Sequence, residues 1–132
     1  FVYSAGLTAA NGVAALSSLR LTFEERWRVE KLQSNAKFFH DHLERLGVNT
    51  GPALGGSGVI PAITGNSMHA LMLSQRMVET GINVQPIVYP AVPDDASRLR
   101  FFLSSTHSEE QLLWTAEQCA GILKQVQSEF KL

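Results

Sequence analysis

Apolar and polar positions along the chain recur with two different periods. Trp27, Leu32, Asn35, Phe39, Leu43 and Leu46 fall near one face at helical spacing, and Gly47 follows as the closing residue. Thr22-Phe-Glu-Glu25 has the form of a capping box, which predicts that this long helix starts there. Upstream, residues 7–21 are small and apolar with helical spacing. Gly12 weakens that helix in isolation, so its stability must come from packing. Residues 1–4 read as a short extended segment, and residues 49–58 as a loop by their Gly, Pro and Ser content. Asn66 is placed to cap a helix running to about Thr80, with Met68, Leu71, Met72, Gln75 and Val78 near one face and Gly81 closing it. Thr106-His-Ser-Glu109 is a second capping box. The helix after it carries a stripe of Leu112, Ala116, Cys119, Leu123, Val126 and Phe130.

Three segments have strand character: VIPAIT at 59–64, INVQPIVYP at 82–90 and RLRFFLSS at 98–105. Pro61 assigns the first to an edge or to an irregular pairing. The second and third are joined by a short turn and should pair antiparallel. The order helix, helix, strand, helix, strand, strand, helix predicts an α+β fold: a small mixed or antiparallel three-stranded sheet with helices packed on one face. Residues 1–47 read as lead-in helices and residues 48–132 as the α+β domain.

Composition narrows the function classes. The chain has 132 residues, 45% apolar and 17% charged, with a net charge of -1. This balance gives no bulk electrostatic attraction to nucleic acid or to an anionic membrane. No apolar run approaches membrane-spanning length and no signal peptide is visible, so neither a nucleic-acid nor a membrane partner is expected. The single cysteine, Cys119, lies in a helical pattern and reads as a small buried thiol, consistent with a reducing, cytoplasmic setting. The opening FVYSAG lacks an initiator methionine and is apolar, which reads as a piece of a longer polypeptide. His40, His42 and His69 lie on helix patterns without metal-ligand spacing, and no metal site is expected. TGNSMHAL and GPALGGSG lack the strand, glycine register and helix start of a phosphate cradle.

One chemical feature stands out. Strand period places Arg98, Arg100, Phe102 and Ser104 on one face and Leu99, Phe101, Leu103 and Ser105 on the other. The second face is core. The first mixes guanidinium with phenyl, so partial burial is expected. A buried arginine needs an acceptor, and its planar fork fits a carboxylate or a phosphate. The residues leave three readings open: an internal ion pair with Asp94 or Asp95, a solvated edge strand, or an arginine that receives a substrate carboxylate. Otherwise Asp94 and Asp95 are turn residues. His107, at the first turn of the last helix, reads as structural.

The run GINVQPIVYPAVPDDASRLRFFLSSTHSEEQL resembles the C-terminal region of the α-oxoamine synthases, pyridoxal-phosphate (PLP) enzymes that condense an amino acid with an acyl thioester and release carbon dioxide. The shared features are a Gly-Ile turn into a strand, a Pro-x-Val-Pro turn, Arg-Leu-Arg, and a histidine before the last helix. FVYSAGL is similar to the segment that follows that family's cofactor lysine, so the likeness covers nearly the whole chain. It implies the C-terminal small domain of a fold-type I PLP enzyme, with residues 1–47 leading from an upstream PLP-binding domain. It further implies that Arg100 binds the carboxylate of the amino-acid substrate, that Ala91 and Val92 in the proline turn border the acyl site, and that Ser4 reaches the cofactor phosphate of a neighbouring subunit in a homodimer. For Ser4, a strand-end or capping role is the equal alternative.

The sequence departs from the family pattern in places. The cofactor lysine has no counterpart here: Lys31, Lys37, Lys124 and Lys131 lie on polar helix positions or at the tail. No catalytic residue is therefore assigned, and the chain alone is expected to be inactive. Ala91 stands where several members have threonine, Thr8 and Ala9 replace a usual proline pair, and Gly58 lies where a histidine often stands. Two other readings remain: an aminotransferase small domain of the same fold type, and a non-catalytic partner subunit or interaction module.

Overall fold

A computed structural model describes Val2, residues 5–52 and residues 56–130. Four α-helices and three strands follow in the order α1 (Ala9–Glu24), α2 (Arg26–Arg45), β1 (Val59–Ile63), α3 (Ser67–Glu79), β2 (Gln85–Ile87), β3 (Arg98–Phe102) and α4 (Glu109–Glu129). A single 3-10 turn, Asp94–Ala96, precedes β3. The strands form one antiparallel sheet in the order β1-β3-β2; α2 and α3 pack on one of its faces, and α4 packs against both helices. The α+β expectation holds, with the sheet wholly antiparallel.

The central strand sets the arrangement. Leu99 and Phe101 are buried on the helix side, where Phe101 meets Phe39 of α2 edge-on at 5.1 Å between ring centres. Their partners in β1, Ala62 and Ile60, are fully buried beside them. The amide of Leu103 donates to the carbonyl of Gly58 at 2.7 Å, and this fixes the parity of the ladder. Residues 99 and 101 therefore bond toward β1, while 98 and 100 bond toward β2. Pro61 stands opposite Arg100, and Pro86 opposite Leu99. At both positions the backbone nitrogen faces away from β3, so neither proline removes a ladder bond. Both edge strands carry their proline where it also discourages a further strand from adding on.

Buried polar side chains mark the ends of the strands. Ser74 donates its hydroxyl to the carbonyl of Val84 at 2.7 Å, on the side turned away from β3, and so ties the start of β2 to α3. The amide nitrogen of Asn35, on α2, donates to the carbonyls of Ser104 and His107 at 2.9 and 3.0 Å, turning the chain away after β3. β2 covers three residues rather than 82–90, and β3 ends at Phe102 rather than Ser105, just before the carbonyls that Asn35 takes up.

Three helix expectations need correction. Thr22 does not cap α2. It lies inside α1 and its hydroxyl donates back to the carbonyl of Ser18 at 2.9 Å, a habit of threonine within helices. The break falls at Glu25, whose backbone leaves helical geometry. Trp27, expected on the core face, is exposed. The cap of α4 is the box Ser108/Gln111, two residues beyond the predicted one, with Gln111 N–H donating to Ser108 Oγ at 3.2 Å and Ser108 N–H to Gln111 Oε1 at 3.0 Å. Asn66 does cap α3, accepting from His69 N–H at 2.7 Å, and Gly81 closes it at φ 89°.

The face of α3 is rotated from its predicted position. Ala70, Leu73 and Met77 are fully buried, whereas Met68, Leu71 and Val78 are about half exposed. The small Ala70 and Ser74 let the helix approach the sheet closely enough for Ser74 to reach Val84. Apolar character alone did not mark that seam. Leu73→Ala should therefore cost about 2–5 kcal/mol and Leu71→Ala within about 0.5 kcal/mol in chemical denaturation; equal losses would restore the predicted face.

Candidate functional site

The sheet face opposite the helices carries no covering element among the described residues. Three cross-strand rows line it: Val59–Phe102, Pro61–Arg100–Gln85 and Ile63–Arg98–Ile87. The same parity that buries Leu99 and Phe101 places both arginines here.

The two arginines differ in their engagement. Arg98 is half-buried and its Nε donates to the carbonyl of Ala96 at 2.7 Å. Arg100 is exposed, so the expected partial burial holds for Arg98 and fails for Arg100. Its guanidinium lies 5.4 Å from the centre of the Phe102 ring and makes no ion pair or hydrogen bond to another described side chain. Neither Asp94 nor Asp95 meets an arginine.

Asp94 is occupied elsewhere. Its carboxylate accepts from the Ser67 N–H at 3.0 Å and from the Ser67 hydroxyl, at the first turn of α3. These bonds, the hydroxyl first, hold its carboxyl below the ordinary carboxylate range. The chain between β2 and the 3-10 turn is the proline turn. Pro90, Ala91 and Pro93 are exposed and Val92 is half-buried. The Tyr89–Pro90 peptide bond is cis, and the Ala91 N–H donates to the carbonyl of Val88 at 3.0 Å. This turn rises from the Arg98–Ile87 end of the open face, one strand repeat of about 7 Å from the Arg100 row. Arg100 lies on the open face, whereas the turn that carries Ala91 and Val92 is bonded to Ser67 at the start of α3, and neither of the two clefts of about 270 and 330 Å³ among the described residues is lined by any of the three. Ser4 lies outside the described residues.

The histidines hold structure. His69 is buried, with Nε2 donating to the carbonyl of Phe130 at 2.8 Å and Nδ1 facing the Asn66 amide nitrogen at 2.9 Å. With the forked Arg76–Glu129 pair, this ties the end of α4 to α3. His107 Nδ1 accepts from the Ser104 N–H at 3.2 Å. His40 reaches the buried Thr50, and His42 stacks on Phe38 at 4.4 Å. No three metal-ligating side chains gather among the described residues, and no described helix is long and apolar enough to cross a membrane.

The lysines do not form a cofactor site. Lys31 and Lys37 face Glu109 and Asp41 on exposed helix surfaces, and Lys124 is exposed on α4; Lys131 lies outside the described residues. A cleft of about 270 Å³ does exist between Gly81–Asn83 and the start of α4, floored by Phe101 and Leu112, but no lysine and no residue of the proline turn lines it.

The chain belongs to the aminotransferase class I and II family, whose model matches residues 1–117. Within that family it is similar to 8-amino-7-oxononanoate synthases, in line with the α-oxoamine synthase resemblance. It is 30% identical over 126 residues to the enzyme of Thermosipho melanesiensis, covering 96% of this chain and 32% of that one. The figures for Treponema denticola are 32% over 126 residues, 96% and 31%. This chain spans about a third of the length of these curated relatives. Among solved structures, a serine palmitoyltransferase from S. paucimobilis with PLP and myriocin bound superposes with a TM-score of 0.85 at 22% identity, over 96% of this chain and 32% of that one. An 8-amino-7-oxononanoate synthase from Francisella tularensis gives 0.71 at 25% identity, over 88% and 32%. The fold is shared throughout.

Sequence reasoning missed Ser67, Ser97 and Thr64 as a group, because their partners lie some thirty positions away and no local spacing marks them. It placed Cys119 correctly: the thiol is buried and burial alone pushes it up to about 12. At pH 8 the thiol therefore stays protonated. The folded protein should show no reaction with a disulfide reagent over minutes, and one equivalent after unfolding; a fast native reaction would place Cys119 at an accessible site.

Proposed function

We propose that this chain is the C-terminal part of a PLP-dependent α-oxoamine synthase-like acyltransferase, which joins an amino acid to an acyl thioester and releases carbon dioxide and the thiol. The observation that carries this reading is the match of the chain to the aminotransferase class I and II family and to 8-amino-7-oxononanoate synthases; the exposure of Arg100 does not itself support a carboxylate role and leaves that role to the Arg100→Lys test. Of the two arginines in the motif, one is engaged with a backbone carbonyl and the other is available for a carboxylate. A carboxylate held by two parallel N–H bonds is fixed in direction as well as in place, so its Cα substituents take one orientation. The proline turn with Ala91 and Val92 would border the acyl group, and alanine there offers methyl contact in place of a hydroxyl.

The described residues do not fit PLP: Lys31 and Lys124 lie on helix surfaces, and Lys37, which lines a surface cleft with Asp41 and Arg45, is paired with Asp41 at 2.8 Å. The cofactor would belong to the remainder of the parent protein. Helix α1 supports such a remainder. It buries none of its residues, and Val13, Leu16, Leu19 and Phe23 are each about half exposed or more. A helix this apolar requires a packing surface, which residues 1–47 would find against an upstream domain. A homodimeric parent, with Ser4 near the partner's cofactor phosphate, completes the reading.

Three outcomes test it. In the intact enzyme Arg100→Lys should raise KM for the amino acid about 10- to 100-fold, the loss of one charge-assisted hydrogen bond; an unchanged KM would move the carboxylate clamp elsewhere. The intact enzyme should release carbon dioxide and free thiol in equal amounts, whereas an aminotransferase would release neither. This chain alone, mixed with PLP, should develop no stoichiometric Schiff-base absorbance.

A further inference from the structure

We propose that Ser67 and Asp94 are positioning residues for the acyl-donor side of the site, fastening both ends of the turn at residues 89–97 to the first turn of α3. The inference rests on the reading of that turn as the border of the acyl site.

The Ser67 hydroxyl is a hub with its full bonding capacity in use. It donates to Asp94, accepts from the Tyr89 N–H at 3.4 Å and meets the Ser97 hydroxyl at 3.1 Å. One donor and two acceptor positions are all a serine offers. The Ser67 N–H adds a second bond to Asp94 at 3.0 Å. Tyr89 is the entrance of the turn, Asp94 its middle and Ser97 its exit, so one side chain gathers three points of one loop. Thr64 seals the exit: its N–H and its hydroxyl both donate to the Ser97 carbonyl at 2.9 Å.

The turn needs such an anchor. Pro90 and Pro93 stiffen it internally, but they do not fix its orientation on the domain. Ala91 and Val92 can keep a constant distance from Arg100 only if the loop is tied to something that also holds the sheet. Helix α3 does this, because Leu73 and Met77 lie in the same core as Leu99. The chain thus connects Arg100, β3, the core, α3, Ser67 and the turn without a flexible segment. An acyl pocket wall held in this way orders no residues when substrate arrives.

The test is kinetic, in the intact enzyme. Ser67→Ala and Asp94→Ala should each raise KM for the acyl thioester about tenfold, with kcat and KM for the amino acid changed less than twofold. Asp94→Asn keeps an oxygen acceptor for both Ser67 donors and should recover most of the loss. Arg100→Lys should give the opposite split. If Arg100→Lys behaves as expected and the Ser67 and Asp94 variants leave the acyl KM unchanged, the anchor is overturned and the carboxylate reading stands. If the acyl KM responds and Arg100→Lys does not, the anchor stands and the carboxylate reading falls. Parallel rises in both KM values with a fall in Tm would reduce the pair to a general structural role and overturn the proposal. Hydrogen exchange gives a second readout: the amides of Ala91, Ala96 and Ser97 should exchange at least tenfold faster in Asp94→Ala, and unchanged exchange would remove the anchor whatever the kinetics show.

Discussion

The parity of strand β3 is the constraint on which the other features depend. Leu99 and Phe101 are both committed to the core, between Ile60, Ala62 and the helices. Side chains on a strand alternate, so Arg98 and Arg100 have only the opposite face available. A slip of one residue would drive two guanidinium groups into an apolar core with no carboxylate to receive them, at a penalty far larger than the stability of a small domain. The same register sets the outward position of both prolines and the point at which the turn leaves the open face.

Around that strand, polar side chains rather than loops mark the limits of the sheet. Asn35, Ser74 and Thr64 are each buried and each takes up backbone groups at the end of a strand. Among the described residues no buried side-chain nitrogen or oxygen lacks a partner. Such groups are costly to leave unmatched, so they fix geometry in a way that apolar contacts of similar energy do not.

This division also explains what could be read from the sequence. Features with a local cause were legible: Asn66 as a cap, Gly81 as a stop, Pro61 on an edge, the stripe of α4, and the alternation in β3. Features that depend on a distant partner were not. The buried face of α3 follows from Ser74 reaching Val84, and the end of β3 from Asn35 reaching across from α2. The capping-box pattern at Thr22 was a real local signal that lost to the continuation of α1, in which the threonine hydroxyl bonds back to Ser18. Arg100 and Arg98 are equivalent by sequence period. Only the turn at Ala96, which supplies a carbonyl to Arg98, makes one of them free. The motif located the candidate site, and the surrounding backbone decided which residue is available.

The exposure of Arg100 bears on how such a site would work. A guanidinium in water holds a carboxylate weakly, with exposed ion pairs contributing about 0–1 kcal/mol. The same pair beneath a covering surface, in a lower dielectric and with water displaced, is several times stronger. On the proposed reading this chain supplies a correctly aimed fork and a fixed turn but not the environment that makes the fork effective. That environment must come from the surface that covers the open face. Affinity for the carboxylate would then appear only when the two parts are assembled, which ties substrate binding to the completeness of the site. On the proposed reading, the exposed arginine and the paired or surface lysines both leave the chemistry to the assembled parent protein, to which this chain would contribute geometry.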